Sequence, residues 1–389
     1  MKYSKPIYLD YNATTPIAPE VFEAMIPYLK EHFGNPSSNH AYGKLAKQAL
    51  NNAKEQAAKL IGAESNEIVF TSGGTESNNH AIIGTVFANT SKGKHIVTSE
   101  VEHPSVIETL RYLEQEFGYT ITYLPVDKYG MVNPSDVEKA VTDKTVIITI
   151  MHANNEVGTI EPIAEIGRIA KEKDVVFHSD AAQSCGKIEV NVDTLNLDLL
   201  TVAGHKLYAP KGIGALYIRS GTKIDKLIHG AGQEQGRRAG TENVPYIVGL
   251  GQACEMALSA INNFSQNIKT LRDKLYDGIR EGLGEENVKL NGHPEQRLPN
   301  TLNISIKNAI GEELLRQMMP RLAASTGSAC HAGKTEPSAV LLAMGLAREQ
   351  ALGALRLSLG RWSTQEEIDE ASQHIVRNVQ SKRKNKIAN

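Results

Sequence analysis

Between residues 67 and 218 the chain alternates two kinds of segment, and this alternation constrains the fold more than any other feature. Short apolar runs at 67–70, 95–98, 121–125, 146–151, 175–178, 199–203 and 215–218 read as strands. Between most of them lie segments with helical spacing, at 76–88, 104–116, 134–141 and 163–173. Strands joined by helical crossovers predict a mostly parallel sheet with helices on both faces. In such a sheet ligands bind beyond the carboxyl ends of the strands. The polar residues worth testing fall at those ends: Gly74-Thr75, His103, Asn154-Asn155, Asp180 and His205-Lys206.

The flanks are organised differently. Residues 18–33 and 42–61 read as helices, closed by Gly34-Asn35-Pro36 and Gly62. An apolar helix is expected over 244–261 and a more polar one over 262–283, linking to strands at 300–306, 323–325 and 355–359 and a closing helix at 365–379. The basic end of the chain is expected to fray. A length of 389 residues suits one large and one smaller domain. The expected division is 16–261 for the large domain, with 1–15 and 262–389 forming the small one. The net charge of −2 gives no electrostatic case for nucleic acid or an anionic membrane. Cys185, Cys254 and Cys330 are too few and too scattered for a disulfide framework or a metal site. No apolar run is expected to span a bilayer, and the N-terminus lacks the apolar core of a signal peptide, so the cytoplasm is the expected location.

Each candidate residue has a plain reading beside the chemical one. Lys206 ends an apolar run; it is an exposed lysine or a Schiff-base lysine. Gly74 and Thr75 follow a strand and open a helix, where free N–H groups favour a phosphate; a simple turn looks the same. Asp180 caps a helix or holds a pyridine nitrogen protonated. His103 is a loop histidine or a ring stacked on a cofactor that also moves protons. Arg356 interrupts an apolar alternating run; its guanidinium faces solvent or grips a carboxylate with two hydrogen bonds. Cys254 reads as core. Cys330 lies in a small, polar, glycine-flanked stretch where a buried thiol has little to pack against.

Together these motifs are less ambiguous. The chain resembles the NifS/IscS-type cysteine desulfurases, pyridoxal phosphate (PLP) enzymes of the class-V aminotransferase family. The resemblance covers nearly the whole chain, through YLDYNATTP at Tyr8, FGNPSS at Phe33, IVFTSGGTES at Ile68, EHPSV at Glu102, MHANNEVG at Met151, HSDAAQ at His178, GHKLYAPKGIGALY at Gly204, RRAGTENV at Arg237, SACHAGKTEPSAVL at Ser328 and LRLSLGR at Leu355. It implies an α/β fold of type I, with a mostly parallel seven-stranded sheet between helices in the large domain and a smaller α+β domain. Lys206 would anchor PLP covalently, Asp180 would bind its ring nitrogen, Gln183 its phenolic oxygen, and His103 would stack on the ring. Gly74, Thr75 and His205 would hold the phosphate, with Thr241 reaching in from the other subunit of a homodimer. Asn155 and Arg356, with Asn35 nearby, would hold the carboxylate of L-cysteine. Cys330 would take the sulfur as a persulfide and pass it to an acceptor protein, in iron–sulfur cluster assembly or another sulfur-transfer pathway.

Three features depart from the family pattern. Ala203 stands where relatives carry a serine or threonine that binds the phosphate. His331 follows Cys330 where many have threonine. The tail lacks the pattern with which the housekeeping forms dock their scaffold protein. These features also resemble the selenocysteine lyases, the alternative activity.

Overall fold

The computed structural model describes residues 5–327 and 336–388, so Cys330 and His331 lie outside the described residues. In chain order the elements begin with β1 (Ile7–Tyr8), α1 (Pro19–Lys30), α2 (Ala41–Ile61), β2 (Ile68–Thr71), α3 (Gly74–Ala88), β3 (His95–Ser99), α4 (Pro104–Phe117), β4 (Thr120–Leu124) and α5 (Pro134–Ala140). They continue through β5 (Thr145–Thr149), α6 (Ile163–Glu172), β6 (Val176–Asp180), β7 (Leu199–Ala203), β8 (Gly214–Ile218) and α7 (Val244–Leu283). The remainder is β9 (Val288–Asn291), β10 (Thr301–Ile306), α8 (Gly311–Met318), β11 (Leu322–Ala323), α9 (Ala339–Ala343), α10 (Arg348–Leu352), β12 (Ala354–Ser358) and α11 (Gln365–Ala388).

The large sheet has seven strands in the order β2-β8-β7-β6-β5-β3-β4. Every neighbouring pair is parallel except those made by β8, which runs antiparallel to both β2 and β7. Its central strands are apolar on both faces because helices cover both. The side-chain alternation of a strand is visible in the core. Ile147 and Leu199 pack on one side with α3 and α4, whereas Ile148 and Leu200 pack on the other with α2, α6 and α7.

A second core gathers Ile7, Leu9, the distal half of α7, β9 to β12, α8 and α11. Here β10 lies between β12 and β9, antiparallel to both, and β1 pairs in parallel with β11.

Four points differ from expectation. The segments expected as two helices meeting at residue 262 form the single helix α7 of 40 residues, about 60 Å long. Asn262, Asn263, Ser265 and Asn267 lower helix propensity without blocking it, and neither Pro nor Gly interrupts them. By length and composition α7 is also apolar enough to cross a membrane, which the sequence reading did not count; here it packs against α1, α2 and α11. The closing helix does not stop near residue 379 but continues to Ala388. β9, α8, α9 and α10 were not expected; the helices among them have 5–8 residues, too short for periodicity to show.

Candidate active site

The carboxyl ends of β2, β3, β5, β6 and β7 open onto a cavity of about 420 Å³. Asn12, Gly74, Thr75, Asn78, His103, Asn155, Asp180, Gln183, His205, Lys206 and Arg356 line it. It therefore brings together nine of the candidates read from sequence. Asn35 and Thr241 are exposed and lie off this cavity, and Cys330 is outside the described residues.

Lys206 closes a single tight turn, Gly204–Lys206, directly after β7. Its Nζ donates to the backbone carbonyls of Asn12 and Ala13, the latter at 2.7 Å. Burial, and then the nearby Arg356, lower its pKa to about 8. An amine so tuned is a nucleophile close to neutrality.

Asp180 ends β6, and its carboxylate is held on both oxygens. Asn78 Nδ2 donates to Oδ2 at 2.7 Å, and the backbone N–H of Ala182 donates to Oδ1 at 2.9 Å. Asn78 also donates to Ser105 Oγ at 2.8 Å, while its own Oδ1 is buried without a partner. The same Ser105 fixes His103, whose Nδ1 lies 2.8 Å from its Oγ. His103 opens to the cavity as the N-cap of α4. The protein packed around its other sides lowers its pKa, against the pull of Asp180, so the imidazole is a proton acceptor near pH 7.

The turn after β2 forms the anion cup. Gly73 has φ 147°, a conformation open to glycine, and no atom lies within 4 Å of where a Cβ would sit. Gly74 begins α3, whose first N–H groups face outward. A Cβ on Gly74 would stand 3.3 Å from the Cβ of Ala203, which places the departing residue on the wall of this cup.

Arg356 enters from β12. Its Nη2 donates to Asp10 Oδ1 at 2.9 Å and its Nη1 to the carbonyl of Asn155 at 3.3 Å. Its Nε is buried with no partner among the described residues. A buried guanidinium with donor capacity to spare at the cavity edge suits an incoming carboxylate.

These residues fit PLP by their chemistry: an amine, a buttressed carboxylate for a pyridine nitrogen, a ring to stack and a glycine-lined helix start for a phosphate. Sequence reasoning missed Asn12, Asn78, Ser105 and Asp10. One signal was present for Asn78: in the polar run Ser77-Asn78-Asn79-His80 at least some side chains must fall on the buried side of α3, where apolar ones are the rule, and Ser77, Asn78 and His80 do.

Fold and site together define a PLP-dependent enzyme of fold type I. Residues 7–371 match the family described as Aminotransferase class-V. The chain is 52% identical over 381 residues to a cysteine desulfurase IscS of Methanosarcina thermophila, covering 98% of this chain and 93% of that one. It is similar to a solved NifS-like protein, with a TM-score of 0.90, 37% identity and coverage of 97% and 100% of the two chains. A solved structure described as SspA in complex with cysteine matches with a TM-score of 0.80 and 39% identity over 92% and 99% of the two chains. The chain belongs to the class-V aminotransferase family, among its NifS/IscS-type cysteine desulfurases.

Proposed function

We propose that this PLP-dependent cysteine desulfurase divides its work among the residues of the cavity and Cys330. PLP, when bound, supplies an electron sink that lets the Cα proton of L-cysteine leave and weakens its Cβ–S bond. Asp180 keeps the ring nitrogen protonated, and Asn78 holds Asp180 in place. Lys206 would anchor the cofactor, and its free amine would take the Cα proton and return it. Arg356 and Asn155 hold the substrate carboxylate. Gly74, Thr75 and His205 hold the phosphate, and His103 takes the thiol proton. Cys330 thiolate attacks the substrate sulfur: an S–S bond forms as the Cβ–S bond breaks, and L-alanine leaves after protonation at Cβ.

The observation that carries this reading is the convergence of Lys206, Asp180 and Arg356 on one cavity. The cysteines add to it. Cys185 and Cys254 are buried, and burial pushes both thiols up, that of Cys254 to about 12. Neither offers a thiolate at neutral pH, which leaves Cys330. Mass spectrometry after incubation with L-cysteine is expected to find one extra sulfur on the peptide containing Cys330. A persulfide on either of the other two, or turnover undiminished in Cys330→Ala, would overturn the assignment. Turnover of selenocysteine with no turnover of cysteine would favour the alternative lyase.

The functional unit in this proposal is a homodimer. Asn35 and Thr241 serve the site only if they face a partner's cavity. Of the twelve large, exposed apolar residues among the described residues, Ile17, Phe22, Leu29, Phe33, Tyr42 and Leu45 fall between residues 17 and 45, just before α1, on α1 and α2 and at their junction, which also holds Asn35, and such clustering suits an interface. The two cores support the division into residues 16–261 and residues 1–15 with 262–389. The sulfur acceptor is a separate protein, and the compartment is the cytoplasm.

A further inference from the structure

One buried charge is unused by the mechanism above. Lys187 is 5% exposed and lies behind the active-site cavity, on the wall of a second, mainly apolar cavity of about 430 Å³. Lysines are almost never so buried without a specific partner. Its partners are both site residues: Nζ is 2.8 Å from Gln183 Oε1 and 3.3 Å from Asn12 Oδ1.

The segment 181–188 is a compact turn in which Cys185 N–H bonds to Ala181 and Lys187 N–H to Ser184, so Gln183 and Lys187 share a side of it. Ser265 Oγ donates to the Lys187 carbonyl at 2.5 Å and fastens the turn to α7. Desolvation, and then the charges of Lys206 and Arg356, hold the Lys187 pKa well below the usual lysine value. Charged or neutral, the amine brings N–H groups to two oxygens.

An amide side chain has an oxygen end and a nitrogen end, and packing alone scarcely distinguishes them. Here hydrogen bonding distinguishes them twice. As an ammonium Lys187 can only donate, so the end of Gln183 that it meets is then the oxygen. The other end donates to the carbonyl of Asn12 at 3.0 Å; a flipped amide would set two acceptors against each other. The second N–H of Gln183 has no partner among the described residues, and Gln183 lines the active-site cavity.

We propose that Lys187 is a positioning residue that locks the amide of Gln183 with its N–H group toward the cofactor's phenolic oxygen. This rests on the reading that Gln183 faces that oxygen. A hydrogen bond there withdraws the negative charge that otherwise keeps a proton on the Lys206 nitrogen, so its loss raises the pH at which that proton leaves.

The test is a spectroscopic pH titration of the cofactor-loaded protein, following its visible absorbance band without substrate. Lys187→Met is expected to move the midpoint up by about half a unit to one unit, roughly three- to tenfold in proton affinity. Lys187→Arg retains the donor-only contact, with the second cavity to take the added bulk, and is expected to keep the native midpoint. Gln183→Leu should shift upward at least as far as Lys187→Met. A native midpoint in Lys187→Met beside a shifted Gln183→Leu overturns the role of Lys187 and leaves Gln183 at the phenolic oxygen. An equal shift in Lys187→Arg and Lys187→Met makes the effect one of packing and also overturns it. A native midpoint in Gln183→Leu overturns both readings.

Discussion

Arg356 shows how a single side chain is tuned for a ligand. Asp10 neutralises it, Asn155 holds one arm, and its buried Nε has no partner among the described residues. Replacing it with lysine keeps the charge and loses the fork. Arg356→Lys is expected to lower kcat/KM for cysteine by about ten- to a hundredfold, mostly through KM, in an alanine-release assay. Lys206 makes a second prediction. In the cofactor-free protein its pKa is lowered to about 8, and the neutral amine is the reactive form. Uptake of PLP, followed by absorbance, should slow about tenfold for each pH unit below 8 and level off above it. Lys206, Asp180 and His103 were legible in the sequence because each sits where an apolar run ends against a turn, the one place such a sheet presents side chains to a ligand. Asn12, Asn78 and Lys187 were not. Their partners lie as far as 346 residues away along the chain, and no local pattern records that.

At the scale of elements, the parallel sheet could be read directly, since period-2 and period-3.6 segments alternated with turn residues between them. In the small domain β10, β11, β12 and the start of α11 could be read too, but β9 and the short helices α8, α9 and α10 could not, and α7 passes without a break from one core to the other. What joins the large sheet at the site is also polar. Glu102, just beyond β3, accepts from Ser99 Oγ at 2.6 Å and from the Met151 N–H beyond β5 at 3.0 Å. Burial raises its pKa to about 8, against about 4.3 in the unfolded chain. Between those values the native carboxyl holds a proton that the unfolded one has lost. The folded state thus loses stability as pH rises toward 8 and loses no more from this group above it. Glu102→Gln removes the titration. In urea unfolding at a series of pH values, its stability relative to the native protein should climb between pH 5 and 8 by up to about 1.4 kcal/mol per unit.

Over the whole molecule, the apolar residues gathered on α1 and α2 carry the quaternary prediction. Phe33 is 75% exposed and stacks on Tyr42 with ring centres 5.5 Å apart. Phe33→Asp is expected to weaken the dimer by about tenfold or more in sedimentation equilibrium and to loosen PLP in parallel; a native mass with native PLP affinity would move the interface elsewhere. A longer-range dependence follows from Asn12. Its carbonyl receives Lys206 and Gln183, its Oδ1 receives Asn300, its Nδ2 donates to Thr301 Oγ1, and its own N–H donates to Ser358 Oγ. Of these residues it is the first to leave the ribosome, and its last partner, Ser358, arrives only as the final residue of β12. Contacts of such sequence separation form late. During synthesis, at about 5–20 residues per second, the large sheet can assemble while Asn12 still waits, so a nascent chain halted before residue 300 would hold the strands of the site without the knot that sets Lys206.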